Sequence, residues 1–338
     1  MRRFFYGLCI TVVSLVLLYG VGEAVIRGLQ SAGWVPVFSS KSLSRNQTPN
    51  QHLNARMKRS ENPALFIEFD RDDPNINSQG FRGDDFPLAK SPGTTRIAII
   101  GDSVAYGYGV ALADSFPRRL EGLLQANGFP VEVLNFAISG HGSVAEAELL
   151  HQRVWEYQPD IVLLAYVLND PVPPQLMMEN IGAAMRATAR LDRVARKSQL
   201  GAWLLLLWMD ASRVMLGGMD RYRSFYESDE YWQPVVQSIE AMQAEALAHD
   251  VPLLAAIFPL FRDFNNYPLT YCHEQAGQLF EATGIPYVDL LGVYRQSDYR
   301  RFMLVESDDT HPNPAGHEVA AESLAVFLQP WLESHPAQ

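Results

Sequence analysis

Five short apolar runs constrain what this chain can become: RIAIIG at 96–101, VEVLNF at 131–136, DIVLLAY at 160–166, VPLLAAIF at 251–258 and IPYVDL at 285–290. None alternates apolar and polar residues with period two, so each reads as a strand covered on both faces. Between and after them, apolar residues recur at helical spacing, at about 115–127, 143–157, 233–249, 270–283 and 315–332. Strand and helix in this alternation predict an α/β fold in which helices flank a parallel sheet on both sides. In such folds ligands bind beyond the carboxyl ends of the strands. The segments following the strands are GDSVAYG, AISGHGS, VLNDPVPP, PLFRDF and LGVY, and the search for chemistry starts there.

Two regions lie outside that pattern. Residues 4–22, FFYGLCITVVSLVLLYGVG, carry no charge and approach the ~20 residues needed to cross the hydrocarbon of a bilayer. Arg2 and Arg3 precede the run and Glu23 is the next charge, which places the N-terminus on the cytoplasmic side. Small residues at Gly22 and Ala24 also suit a cleaved signal peptide. The run exceeds the usual apolar core of a signal, about 7 to 15 residues, so a retained anchor over 1–27 is expected. Either way the remainder lies beyond the cytoplasmic membrane. Residues 28–94, rich in Asn, Ser, Pro and charge, read as a tether that becomes an ordered lead-in to a main domain over 95–338.

That domain carries an insertion at about 171–230, which contains GAWLLLLWMDASRVML. Its first reading is a helix covering one side of the core. A second membrane span would bury Asp210 and Arg213 in lipid. A third reading is a lid or interfacial helix beside the site, resting on the membrane or on an acyl group. The net charge of −11 argues against a surface that tracks phosphates, so no nucleic acid is expected as partner. Cys9 and Cys272, far apart in sequence, offer neither a disulfide framework nor a CxxC metal pair.

Ser103, delivered at the end of the first strand by Gly101-Asp102, would expose its hydroxyl at the sheet's carboxyl edge. A serine or aspartate capping the next helix gives the same three letters. A nucleophile needs a base. Of eight histidines, His52 and His335 lie in polar terminal segments, while His151, His249 and His273 fall in or at the ends of predicted helices. His141, His311 and His317 remain. In SDDTHPNPAGH, Asp308 stands three residues before His311, a spacing at which a turn sets two side chains next to each other. Asp309 is the adjacent alternative, and His317 would lie one turn into a helix starting near Pro314. Gly140 and Asn169, each just after a strand, can offer a backbone N–H and a side-chain amide to an oxyanion; a turn residue and a helix cap are their ordinary uses.

The ordered set GDSVAYG, ISGHG, VLND and DDTHPN resembles the SGNH hydrolases, also called the GDSL lipase and esterase family. The resemblance implies a three-layer α/β/α sandwich, flavodoxin-like, on a parallel sheet of about five strands. It further implies Ser103 as nucleophile, His311 as base, Asp308 as its orienting acid, and Ser103, Gly140 and Asn169 as oxyanion donors, with neither metal nor organic cofactor. INSQGFRGDDF at 76–86 is similar to a lead-in of membrane-attached bacterial members. Two departures stand out: Val167 occupies the glycine position of G-x-N-D, and Ala105 replaces the second glycine of the G-x-S-x-G elbow of α/β-hydrolases. Rossmann and P-loop fingerprints do not occur in the sequence.

The activity so implied is a serine esterase working through an acyl-enzyme, on a small-molecule or glycan ester, foremost an O-acetyl group on an extracytoplasmic carbohydrate. Its rival is an O-acyltransferase using the same residues on an exported polysaccharide, with exopolysaccharide machinery as partner. Trp203, Trp208 and the leucines between them keep a lipase-like acyl hydrolase in view, and a tethered binding protein without turnover is the non-enzymatic alternative. The expected location is the inner membrane, single-pass, with the catalytic domain on the periplasmic side.

Overall fold

A computed structural model describes residues 2–38, 51–215, 220–305 and 308–334. In chain order the elements are α1 (Arg2–Ser31), β1 (Met57–Arg59), β2 (Ile67–Phe69), β3 (Thr95–Gly101), α2 (Ser103–Tyr106), α3 (Phe116–Ala126), β4 (Val131–Asn135), α4 (Ser143–Arg153), β5 (Ile161–Val167), α5 (Pro174–Ala195), α6 (Gln199–Met215), α7 (Asp220–Glu227), α8 (Asp229–Ala248), β6 (Leu253–Phe258), α9 (Thr270–Thr283), β7 (Tyr287–Asp289), α10 (Leu291–Tyr294) and α11 (Pro314–Ser334). They form two compact units, Met1–Gln47 with Met178–Gly218, and Thr48–Met177 with Met219–Gln338. The second unit therefore begins within the stretch expected as tether, and most of the insertion groups with α1.

In the first unit, α1 is long and apolar enough over Thr11–Ser31 to cross a membrane, a test that a signal sequence also passes. The apolar stretch of the insertion is helical, as α6, and its packing partners inside this unit are α1 and α5. Ala202 of α6 is buried against Leu191 and Ala195 of α5. Asp210 and Arg213 lie on α6, and their side chains fall outside the described residues. Periodicity marks a face that must be covered and is silent on what covers it.

The second unit is built on a five-stranded, all-parallel sheet in the order β4-β3-β5-β6-β7. Every residue of β3, β5 and β6 is buried, which is why their sequences do not alternate. The five strands and the helices α3, α4, α8, α9 and α11 fall where the apolar runs and the helical spacings place them. The fold is a parallel α/β sheet flanked by helices. From β3 the chain moves to one neighbour, β4, and then to the other, β5, so the strand order reverses at β3 and a crevice opens at the carboxyl ends of these three strands. Residue 101 must be glycine there, because a Cβ would lie 3.0 Å from the Cβ atoms of both Ala105 and Ala165.

The lead-in at 76–86 braces that crevice. Phe81 is fully buried, with its ring centroid 4.9 Å from that of Phe136 in an edge-on contact. Burying a side chain of this size contributes about 1.5–3 kcal/mol. The next residue, Arg82, is buried and donates to the carbonyls of Tyr106 (2.9 Å), Gly107 (2.7 Å) and Val110 (2.6 Å). A charged fork inside the protein thus fixes the loop that follows Ser103.

Candidate active site

Ser103 is the first residue of α2, and the cap of that helix is its neighbour. Asp102 is the N-cap: its Oδ1 accepts from the Val104 N–H at 2.8 Å. The Ser103 hydroxyl is not used for the cap: Oγ lies 3.4 Å from Asp102 Oδ2 and, closer, 2.9 Å from His311 Nε2. His311 Nδ1 is 2.7 Å from Asp308 Oδ2, while Asp308 Oδ1 accepts the backbone N–H groups of Thr310 and His311, each at 3.1 Å. Burial alone would raise the Asp308 carboxyl, but the His311 imidazole and these hydrogen bonds outweigh it and hold the group below the usual carboxylate range. The Tyr108 ring lies against His311, tilted by 31° with 4.3 Å between centroids, which limits how the imidazole can turn.

The loop that carries Asp308 and His311 is clamped from both sides. Leu304 N–H donates to the His311 carbonyl at 2.9 Å, and Asn313 caps α11 by accepting from Ala315 and Gly316 at 3.0 and 3.1 Å. Asp309 turns the other way: it ion-pairs with Arg262, and its carbonyl accepts from Phe261 N–H at 2.6 Å. The other two histidines have different partners. His141 Nε2 is 2.9 Å from the Ile67 carbonyl, and His317 Nδ1 accepts from Phe116 N–H at 3.2 Å. Burial pushes them down to about 4 and about 3 respectively, so both are neutral inside the protein at neutral pH.

Gly140 and Asn169 come to the same crevice. Gly140 sits in a tight turn closed by the His141 N–H to Ile138 carbonyl bond at 3.1 Å, with φ of 85°, a conformation that suits glycine. At Gly142 a Cβ would lie 2.5 Å from the Asp170 carbonyl oxygen, so glycine is needed where the loops after β4 and β5 meet. Asn169 Nδ2 donates to Asp102 Oδ2 at 3.2 Å. An amide nitrogen carries two hydrogens, so one can orient the group while the other remains for an incoming anion. Beside these loops lies a cavity of about 220 Å³ whose lining includes Pro63, Phe66, Gly142, Asp170, Pro173 and Tyr231.

The sequence gives no signal for a buried acidic cluster behind these loops. Both carboxylate oxygens of Glu146 and Oδ1 of Asp170 are buried without a hydrogen-bond partner, and the Ser143 hydroxyl reaches Asp170 Oδ2 only at 3.4 Å. Burial and then the neighbouring Asp102 raise Glu146 well above its usual range; burial, then Glu146 and Asp102, raise Asp170. Among the described residues no group of three or more His, Cys, Asp or Glu is placed to hold a metal ion. The acids therefore keep their protons in the fold where the unfolded chain has lost them, and stability falls as pH rises above about 4.3 toward the raised values. Glu146→Gln is expected to flatten this decline. Above pH 5 the slope lost is at most about 1.4 kcal/mol per pH unit, the value for one proton. Urea unfolding across that range checks it, and parallel slopes for the two proteins would refute the assignment.

Residues 99–319 match a family model described as the GDSL-like lipase/acylhydrolase family. An arylesterase from Vibrio mimicus is 30% identical over 96 residues, 28% of this chain and 48% of its own, so the chain spans about half the length of that relative. Among solved structures, TesA is similar at 15% identity with a TM-score of 0.45, over 70% of this chain and 99% of its own. The psychrotrophic esterase EstA from Pseudoalteromonas sp. stands at 15% and 0.43, over 71% and 99%. Axe2, an acetylxylan esterase from Geobacillus stearothermophilus crystallised as a catalytic mutant, stands at 16% and 0.45, over 71% and 95%.

Proposed function

The chain belongs to the GDSL-like lipase/acylhydrolase family, whose members are carboxylic ester hydrolases, and on that premise we propose that it is a serine esterase in which Ser103, His311 and Asp308 act as a triad. The observation that carries the reading is the single imidazole bonded to both partners, 2.9 Å from Ser103 Oγ and 2.7 Å from Asp308 Oδ2. With Nδ1–H held by the Asp308 carboxylate, Nε2 is the basic nitrogen and takes the Ser103 proton as Oγ attacks the ester carbonyl. The negative charge that develops on the carbonyl oxygen is met by the N–H groups of Ser103 and Gly140 and the amide of Asn169. The imidazolium then protonates the departing alcohol, and an acyl-serine remains. Water, deprotonated by His311, attacks this ester, and collapse of the second tetrahedral intermediate frees the acid and restores Ser103.

The substrate of this reading is an O-acetyl ester on an extracytoplasmic carbohydrate. The family's ester chemistry and a domain placed outside the cytoplasm support this choice; the cavity of about 220 Å³ beside the loops is lined by Gly142 and Asp170 but by none of Ser103, Gly140, Asn169 and His311, and its volume does not bear on the acyl length. The apolar run of α1, preceded within the helix by Arg2 and Arg3, supports an inner-membrane anchor with the esterase on the periplasmic side. The test is a series of nitrophenyl esters from acetyl to palmitoyl, together with an O-acetylated glycan, hydrolysed by the full chain in detergent. Fastest turnover of the acetyl ester and release of free acetate from the glycan are expected. A preference for long chains would replace the O-acetyl assignment with a lipase-like one, and acetyl appearing on an added sugar in place of free acetate would replace hydrolysis with transfer.

A further inference from the structure

The first unit contains an apolar surface that the esterase reading leaves unused. From Gln199 to Trp208 the helix α6 is apolar and uncharged, and Trp203, Leu204, Leu207 and Trp208 are exposed. These four positions, spaced i, i+1, i+4 and i+5, form one face of a helix. The opposite side is already covered, since Ala202, Leu205 and Leu206 pack with Leu191, Val194 and Ala195 of α5. The bare face is thus not the inner side of a helix waiting for its own core.

What lies beside it is α1. Glu23, the first charge after the apolar run of α1, accepts the N–H groups of Gln199 and Leu200 at 2.9 and 2.8 Å and the Ser198 hydroxyl at 2.8 Å, so a side chain of α1 caps α6. Small residues bring the helices close. A Cβ on Gly22 would lie 2.8 Å from Leu200 Cδ2, and one on Gly201 would lie 2.9 Å from the Tyr19 hydroxyl. The start of α6, residues 198–201, meets α1 from Gln30, bonded to the Gln199 side chain at 2.8 Å, through Glu23 to Tyr19, at the end of the apolar run of α1. Signal cleavage near Gly22 would remove part of this interface.

We propose that the exposed face of α6 is seated in phospholipid next to α1, so that the enzyme is held by a two-helix membrane unit, one helix crossing and the other lying at the boundary of headgroups and acyl chains. This rests on the reading of α1 as a retained membrane span. The ten-residue apolar stretch from Gln199 to Trp208 extends about 15 Å, half of the ~30 Å hydrocarbon. The charged positions Asp210 and Arg213 follow at once in the sequence, which keeps α6 shallow. Two tryptophans on the lipid-facing side suit that depth.

The experiment uses the full chain carrying Cys9→Ser, with Cys272 buried, and a reporter cysteine at Leu207 or at Leu17, labelled with an environment-sensitive fluorophore. Each protein is reconstituted in vesicles of phosphatidylethanolamine and phosphatidylglycerol, with or without spin-labelled lipid whose nitroxide sits near the headgroup or near the methyl end. Hydrolysis of a soluble acetate ester reports folding. The label at residue 207 is expected to lose most of its fluorescence to the shallow nitroxide and less to the deep one, and the label at residue 17 to be quenched as well. Quenching at 17 without quenching at 207 would overturn the proposal and leave α1 as a lone anchor, with the bare face of α6 covered by protein. Stronger quenching of 207 by the deep nitroxide would overturn the shallow placement, and no quenching at either site would overturn the membrane span itself.

Discussion

Ser103→Ala is expected to lower kcat for an acetate ester by about ten-thousand-fold or more, and to abolish labelling by a fluorophosphonate, while the melting temperature changes little. The size follows from what is removed. In the proposed mechanism Oγ is the atom that bonds to the acyl carbon, and the loss cannot be made up by Asp102, whose oxygens are engaged with the Val104 N–H and the Asn169 amide at 2.8 and 3.2 Å. The small effect on stability follows from the division of labour at the start of α2: Asp102 supplies the cap, so alanine at the first helical position leaves the helix terminus satisfied. What remains is the donor set of Gly140, Asn169 and the backbone at residue 103, which polarises an ester carbonyl without a nucleophile. Activity within tenfold of wild type would mean that Ser103 is not the nucleophile, whatever its distance to His311.

The same division shows which parts of this molecule are written locally. GDS on its own does not separate a cap from a nucleophile because both roles begin from one backbone geometry, a strand that turns into a helix; the structure gives the cap to Asp102 and sets the Ser103 hydroxyl 2.9 Å from His311 Nε2, the contact on which the proposed mechanism rests. The sheet was legible because strands buried on both faces have no wet side to interrupt the run, and β3, β5 and β6 are of this kind. The spacing of Asp308 and His311 was legible because the turn that joins them is local. Long-range pairings carry no such trace. Glu23 capping a helix that starts at Gln199, Arg82 holding the loop after Ser103, and Arg262 drawing Asp309 away from His311 each join residues whose own neighbourhoods look ordinary. Glu146 is the clearest case: in the helical stretch SVAEAELL it reads as one more exposed acid, and only the packing of α4 buries it.

Asp308→Asn is expected to cost about ten-thousand-fold in kcat, close to the loss from removing the nucleophile, although the change is one oxygen for one nitrogen. The reason lies in the bonds that the carboxylate already makes. Oδ1 accepts two backbone N–H groups, from Thr310 and His311, at 3.1 Å each, and Oδ2 faces His311 Nδ1 at 2.7 Å. Asparagine has a single acceptor oxygen. If that oxygen keeps the two backbone bonds, the NH2 group points at Nδ1 and can only donate, which forces the imidazole to carry its proton on Nε2, facing Ser103. A nitrogen that already holds a proton cannot take the one from Oγ. Because the wild-type carboxyl is held below its usual range, it stays ionised through the neutral and mildly acidic region, and the loss in the variant is expected at every pH in that region. Asp309→Asn separates this account from simple damage to the loop. Asp309 faces Arg262, so that variant disturbs the same segment without touching the imidazole, and it is expected to lose no more than about tenfold. Equal losses in the two variants, measured with the same ester and the same melting temperature as control, would show that the segment's shape and not the tautomer of His311 is what Asp308 protects.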